Sequence, residues 1–199
     1  MNGLQHPDEK IRLRTAMDMG TTPNPRDVDA LIERCGTETD FHVREVLTWA
    51  LTRHPRQTTV PRLTRELEDD RPQARSQALH TLSKIGDPSA WPAITRALLM
   101  DPDDEVARSA WRAATVLVPG DDKADLTTVL ITQLARGPHD TQRSLSRALV
   151  ALDADLDTAH NHPDPAVRAH ARATEQLKHD PEAGFAIEEA TRVVALGPC

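Results

Sequence analysis

Three successive stretches of the chain place a large aromatic or cationic side chain at one recurring position: Trp49, His80 and Arg112. Trp111 stands beside the last of these, and Arg53 and Lys84 lie one helical turn beyond the first two. A tryptophan flanked by guanidinium and ammonium groups has the composition of a binding hot spot, since it offers a flat apolar area next to donors that capture carboxylates and carbonyl oxygens. On one shared face, Trp49, Arg53, His80, Lys84, Trp111 and Arg112 form a partner-binding surface. The competing reading gives Trp49 and Trp111 to the core, where large rings fill the space between thin alanine stripes.

Other residue types invite chemistry and supply less of it. His160, His162 and His170 cluster with Asp157 and Asp164 nearby, and a His-x-His pair suits zinc or nickel. His162 precedes Pro163 in a turn, however, and the spacing to His170 matches no specific site, so no metal ligand set is assigned. Cys35 ends an apolar helix and reads as buried, whereas Cys199 reads as a tail thiol with nothing beside it to activate a thiolate. No nucleophile–base pairing, glycine-rich phosphate loop or paired-carboxylate arrangement stands out, so no catalytic residue and no cofactor are assigned. An arginine recurs as Arg12, Arg44, Arg75, Arg143 and Arg168. These arginines either form an anion-binding ladder or pair with acids of neighbouring units such as Asp8, Asp40, Asp70 and Asp164. The recurrence of acidic leads beside them favours pairing.

The elements that position these side chains are short amphipathic helices. Ala74, Ala78, Leu82 and Ile85 make one apolar helical stripe, and Gly86 follows it where a left-handed cap is commonly glycine. Asp87-Pro88 then opens a second helix carrying Trp91, Ile94, Ala97 and Leu98. The same pair recurs along the chain. It aligns on Ile11-Arg12, Val43-Arg44, Ala74-Arg75, Val106-Ala107, Gln142-Arg143 and Val167-Arg168. The first three steps between these pairs are nearly equal, the fourth is longer and the last is shorter. Such a period with two helices per unit marks an α-solenoid. Inner helices are expected from Pro7 to Gly20, after Asp40, after Arg71, after Asp101–Glu105, from Asp140 to Leu152 and through Leu177. Outer helices are expected at Asp27–Arg34, Thr59–Leu67 and Asp125–Ala135. Asp153 to His160 leaves room for barely two turns, and Ala183 to Leu196 reads as a C-terminal capping helix.

Composition agrees with an all-α chain. Hydrophobic residues make up 38% and aromatics only 3%, with no Tyr, so the core is built from Ala, Leu, Val and Ile. The 15 prolines and 8 glycines fall between the stripes as helix punctuation. Net charge is -7, which argues against a dominant phosphate-backbone partner. No apolar run approaches the roughly 20 residues of a membrane span. Met1 to Arg14 lacks the apolar stretch of a secretory signal, and two distant cysteines suggest no disulfide framework, so a cytoplasmic location is expected.

The Asp-Pro-Asp-x-x-Val-Arg-x-x-Ala lead, Gly86-Asp87-Pro88 and Trp91-Pro92-Ala93-Ile94 resemble the short HEAT-type repeats of bacterial proteins. These belong to the same broad class as the phycobilisome-lyase-like HEAT repeats. The resemblance spans roughly Pro7 to His179 and is strongest between Val43 and Leu117. It departs from the pattern at Ala107, where Arg is expected, and at Gln142, where Val is expected. The resemblance implies a right-handed α-solenoid of about five to six two-helix repeats plus the capping helix, in a single domain covering 1–199. It also implies that the inner helices line a concave face. HEAT arrays serve mostly as non-enzymatic scaffolds or adaptors, so a protein or peptide partner on the inner face is the leading expectation. Two alternatives remain. One is an enzyme like the HEAT-like alkylpurine DNA glycosylases, for which Trp49, Trp111 and Arg112 are compatible and the acidic charge is not. The other is a lyase-like or carrier role on a chromophore or small molecule, which requires a deep apolar pocket.

Overall fold

Four of the inner helices begin with a turn capped by an aspartate. In the computed structural model, which describes residues 3–181 and 185–196, Asp8 accepts the Lys10 N–H at 2.9 Å and Asp40 the Val43 N–H at 2.9 Å. Asp103 accepts from Glu105 and Val106, and Asp164 from Ala166. These are helix N-caps, which satisfy donors that the first turn cannot pair internally. The helices they open are α1 (Glu9–Thr21), α3 (Phe41–Arg53), α7 (Asp104–Leu117) and α11 (Pro165–His179). Between them stand α2 (Val28–Thr37), α4 (Arg56–Glu66), α5 (Pro72–Ile85), α6 (Arg96–Leu99), α8 (Lys123–Ile131), α9 (His139–Ala151) and α10 (Asp157–His160), and the last described helix is α12 (Ile187–Leu196). The described residues contain helices, turns and loops and no strand.

The chain forms two compact units, Met1–Leu117 and Val118–Cys199, where the sequence reading takes one domain. In the first unit α1, α3, α5 and α7 pack side by side as the inner row, with α2, α4 and α6 as the second layer. Its core is leucine and alanine, with Leu31, Leu47, Leu51, Leu63, Leu79, Leu82 and Leu117 fully buried. Small residues let helices approach closely: a Cβ at Gly36 of α2 would lie 3.1 Å from Ala74 Cβ of α5. In the second unit α9 packs on α8 and α11, and α11 packs on α10 and α12. Ala169, Ala173, Phe185 and Ala190 close its far end.

The recurring arginine has a consistent geometry. Nη1 donates to two carbonyls of the loop leading into its own helix: Arg12 to His6 and Pro7, Arg44 to Glu38 and Thr39, Arg75 to Asp69 and Asp70, and Arg168 to His162 and Pro163. All eight distances lie between 2.7 and 3.0 Å. The second edge of the guanidinium reaches an acid of the next lead. Arg12 Nε and Nη2 grip Glu38 at 2.8 and 2.9 Å, and Arg75 grips Asp101. The pairing reading therefore holds for Arg12 and Arg75, with different acids from those the sequence offers. Asp8, Asp40 and Asp164 cap helices instead.

The structure also corrects the register of the fifth repeat. Counted from the N-cap, the recurring position is Gln142, whose Nε2 donates to the Gly137 carbonyl at 3.0 Å, and not Arg143. The cap positions then run Asp8, Asp40, Arg71, Asp103, Pro138 and Asp164. Three boundaries follow from local chemistry. Gly86 takes φ 64°, the left-handed cap expected of it. The helix expected after Pro88 is a 3-10 turn, Pro88–Ala93, followed by the single turn α6, because Pro92 removes a donor in its middle. The segment 153–160 yields only the four-residue α10. Of the expected capping helix, Ile187–Leu196 is helical, while Ala183 and Cys199 lie outside the described residues.

Burial sets two acid-sensitive groups. Burial alone would raise the Glu38 carboxyl, but hydrogen bonds from Arg12, the Asp40 N–H and Arg34 overcome it and hold the group at about 2. In the second unit His170 is fully buried, with Nδ1 accepting the Ala135 N–H at 2.9 Å and Nε2 facing Ser146 Oγ and the Gln142 carbonyl at 3.0 Å. That arrangement requires the neutral Nε2–H tautomer. Burial, against the Gln142 hydrogen bond, lowers the imidazole from 6.5 to about 4.

Two outcomes follow for stability. Glu38→Gln leaves the buried Arg12 without its charge partner and lowers unfolding free energy by about 3 kcal/mol, read from urea titration. His170 is depressed in the folded state, so its contribution is complete above pH 6.5 and drains away as pH falls toward 4. Urea titrations across that window show a loss on the order of 3 kcal/mol, and His170→Asn flattens the slope.

Candidate functional site

The four inner helices of the first unit share one cap-relative numbering, and this decides which side chains face out. Trp49, His80 and Arg112 all stand nine residues beyond their N-caps, in line with Met17 of α1. Met17 and Trp49 are exposed by 46% and 42%, Arg112 is exposed, and His80 is half-buried. Arg53 and Lys84 lie one turn on, both exposed and with no acid within ion-pair distance among the described residues. Five of the six expected residues thus sit on the solvent-facing side of the inner row.

Trp111 does not. It stands eight residues beyond its cap, in the row of Thr48 and Leu79, and that row points into the core. The ring is fully buried and Nε1 donates to the Leu99 carbonyl at 2.8 Å. This bond ties α7 to the end of α6, in the one inner helix of the unit that carries Ala107 at the arginine position. Trp111 is a core residue.

Trp49 is part platform and part support. A Cβ at Gly20 would come within 2.4 Å of its ring, so the indole lies across the notch this glycine leaves in α1 while its other side stays exposed. His80 is the point of closest assembly. Arg112 Nη1 donates to His80 Nδ1 at 3.2 Å, and His80 Nε2 faces Glu45 Oε1 at 3.5 Å. Burial holds the imidazole below its ordinary pKa against the pull of Glu45, with Arg112 and Lys84 adding to the effect.

Around His80 lies a cleft of about 280 Å³, lined by Phe41, Arg44, Glu45, Gln77, Glu105 and Arg112 among others. Sequence reasoning misses Phe41, Glu45 and Gln77, and it names Arg44 only as one of the recurring arginines. Their signal is present: Phe41, Glu45, Trp49 and Arg53 run at i, i+4, i+8 and i+12 along α3, so the exposed Trp49 implies an exposed Phe41. Phe41 is 59% exposed, with the Arg44 guanidinium 6.0 Å from its ring centre.

The remaining candidates do not converge. His162 Nδ1 accepts the Asp164 N–H, His160 pairs with Glu175 at 3.0 Å, and His170 is locked in the core. Among the described residues no three His, Cys, Asp or Glu side chains group as metal ligands. Cys35 is buried, which pushes its thiol up to about 12. No described helix is long and apolar enough to cross a membrane.

The chain matches a known family, HEAT repeats, over residues 38–115. That segment is a HEAT array. It contains α3, α5 and nearly all of α7, and so the whole cleft. No curated protein matches the chain. Among solved structures, the complex of CpcE and CpcF of phycocyanin lyase from Nostoc sp. PCC7120 is similar at 20% identity and a TM-score of 0.51, covering 98% of this chain and 83% of that one. A designed armadillo repeat protein is similar at 13% identity and a TM-score of 0.48, covering 88% and 97%. With so few identical residues, the likeness to the lyase complex bears on the fold alone, which is that of a helical-repeat solenoid.

The two tryptophans separate experimentally. Acrylamide is expected to quench the exposed Trp49 and, in part, the half-buried Trp91, so Trp49→Phe lowers the quenchable fraction and Trp111→Phe leaves it unchanged. Trp111→Phe strips the Leu99 carbonyl of its donor and costs about 1–2 kcal/mol in urea titration.

Proposed function

We propose that the HEAT array is a non-enzymatic scaffold that binds a protein or peptide partner along the exposed side of α3, α5 and α7. One observation carries this: Phe41 and Trp49 stand exposed beside Arg53, Lys84 and Arg112, three cations with no acidic partner among the described residues. Exposed aromatics beside unspent cations cost a protein more than they return unless something covers them, and Trp and Arg are the side chains that dominate binding energy at interfaces. The cleft is shallow and mixed in charge, so it suits a few side chains of a larger partner better than an enclosed small molecule. The DNA-glycosylase alternative draws on Trp49, Trp111 and Arg112, and the burial of Trp111 takes one of the three out of the cleft.

Affinity capture from native lysate tests the reading, comparing the wild-type chain with a Trp49→Ala/Arg112→Ala variant. A protein recovered by the wild type and lost by the variant is the expected result. Recovery of the same protein by both would overturn it.

A further inference from the structure

Arg12, Arg44, Arg75 and Arg168 all use Nη1 on their own lead loops, which leaves the Nε–Nη2 edge to take a carboxylate. On Arg12 that edge holds Glu38, and on Arg75 it holds Asp101. Both acids stand two residues before the next N-cap position, and each also accepts the backbone N–H of that residue. On Arg44 and Arg168 no acid lies within ion-pair distance among the described residues. Arg168 belongs to the last repeat, with no further lead after it among the described residues. Arg44 is internal, and the next lead does carry an acid at the matching place, Asp69. That acid is diverted. Arg71 occupies the cap position where other repeats put Asp, and it takes Asp69 through Nε at 2.9 Å, Nη2 at 2.8 Å and its backbone N–H at 2.7 Å. The step from Asp40 to Arg71 is also slightly shorter than those on either side of it, Asp8 to Asp40 and Arg71 to Asp103.

Arg44 lines the cleft, with the exposed Phe41 ring centre 6.0 Å from its guanidinium. The acids nearby are committed elsewhere: Glu105 pairs with Arg108 at 2.6 Å, Asp103 caps α7, and Glu45 faces His80. A planar guanidinium with two parallel donors free matches a carboxylate in two-point contact, whereas the flanking Glu45 and Glu105 disfavour a more highly charged phosphate. We infer that Arg44 is the recognition point for an Asp or Glu side chain of a bound peptide segment, held as Arg12 holds Glu38. This rests on the reading of the same face as a peptide site.

The test selects a phage-displayed random dodecapeptide library against the full chain and measures the strongest peptide by calorimetry. Selected sequences are expected to share an Asp or Glu. Converting it to the amide, or making Arg44→Gln, weakens binding at least about tenfold, and the two changes together add little because they remove one contact. Arg44→Gln is expected to keep the fold, since a glutamine makes one such loop bond in α9 and Gln73 still donates to the Glu38 carbonyl at 2.7 Å. Arg71→Ser supplies an ordinary cap, frees Asp69 for the edge of Arg44 and weakens the same peptide without altering the cleft. A peptide lost with Trp49→Ala yet indifferent to both Arg44→Gln and Arg71→Ser would overturn this inference alone. Failure of any peptide to enrich would overturn the peptide-site reading and this inference with it.

Discussion

A guanidinium that donates to two carbonyls of its own lead loop fixes where four of the inner helices begin, and most of the chain's order depends on it. Loop carbonyls just before a helix have no partner within the helix, and leaving them buried without donors costs on the order of 1–3 kcal/mol each. One arginine satisfies two of them. Its other edge reaches forward to an acid in the next lead, which ties the start of one repeat to the start of the next. The Glu38 carboxylate shows how closely this is held, since it is fully buried yet bound by Arg12, by Arg34 and by the Asp40 N–H. Where the arginine is absent, another donor does similar work. Gln142 makes a single loop bond in α9, and in α7 the Trp111 indole ties the helix to the Leu99 carbonyl at the end of α6.

The same interaction explains how the face comes to be presented. With each helix start fixed, side chains nine residues in are brought to the same side of neighbouring helices, and residues eight in are turned to the core. Trp49, His80 and Arg112 fall in the first class and Trp111 in the second. A one-residue difference along a helix is a rotation of about 100°, enough to exchange solvent for interior. Function and packing are therefore separated by register, and residue type does not distinguish them.

Much of this is legible in the sequence. The stripe of Ala74, Ala78, Leu82 and Ile85, the left-handed Gly86, the brief element at 153–160 and the repeat of Asp leads all follow from local rules. What local rules do not supply is the partner of each arginine, because Glu38 and Asp101 lie nearly a whole repeat away and become neighbours only when helices stack. Arg143 passes for the fifth arginine for a related reason. The lead before α9 is longer than the others, and only the cap at Pro138 shows that Gln142 holds the place. Trp111 passes for a surface residue because Trp and Arg side by side look like a hot spot until the register is counted from the cap. Phe41 escapes notice although its spacing from Trp49 gives it away.

The central claim is that the Arg44 guanidinium edge, unlike those of Arg12 and Arg75, is left open at the candidate face. Side-chain heteronuclear NMR measures it directly through solvent exchange of the arginine Nε–H groups. Arg12 and Arg75, whose Nε atoms are bound to Glu38 and Asp101, should exchange slowly, while Arg44 exchanges freely in the isolated chain. An Arg44 Nε–H as protected as that of Arg12 would mean that the edge is already filled from within, and the account of the face would fail.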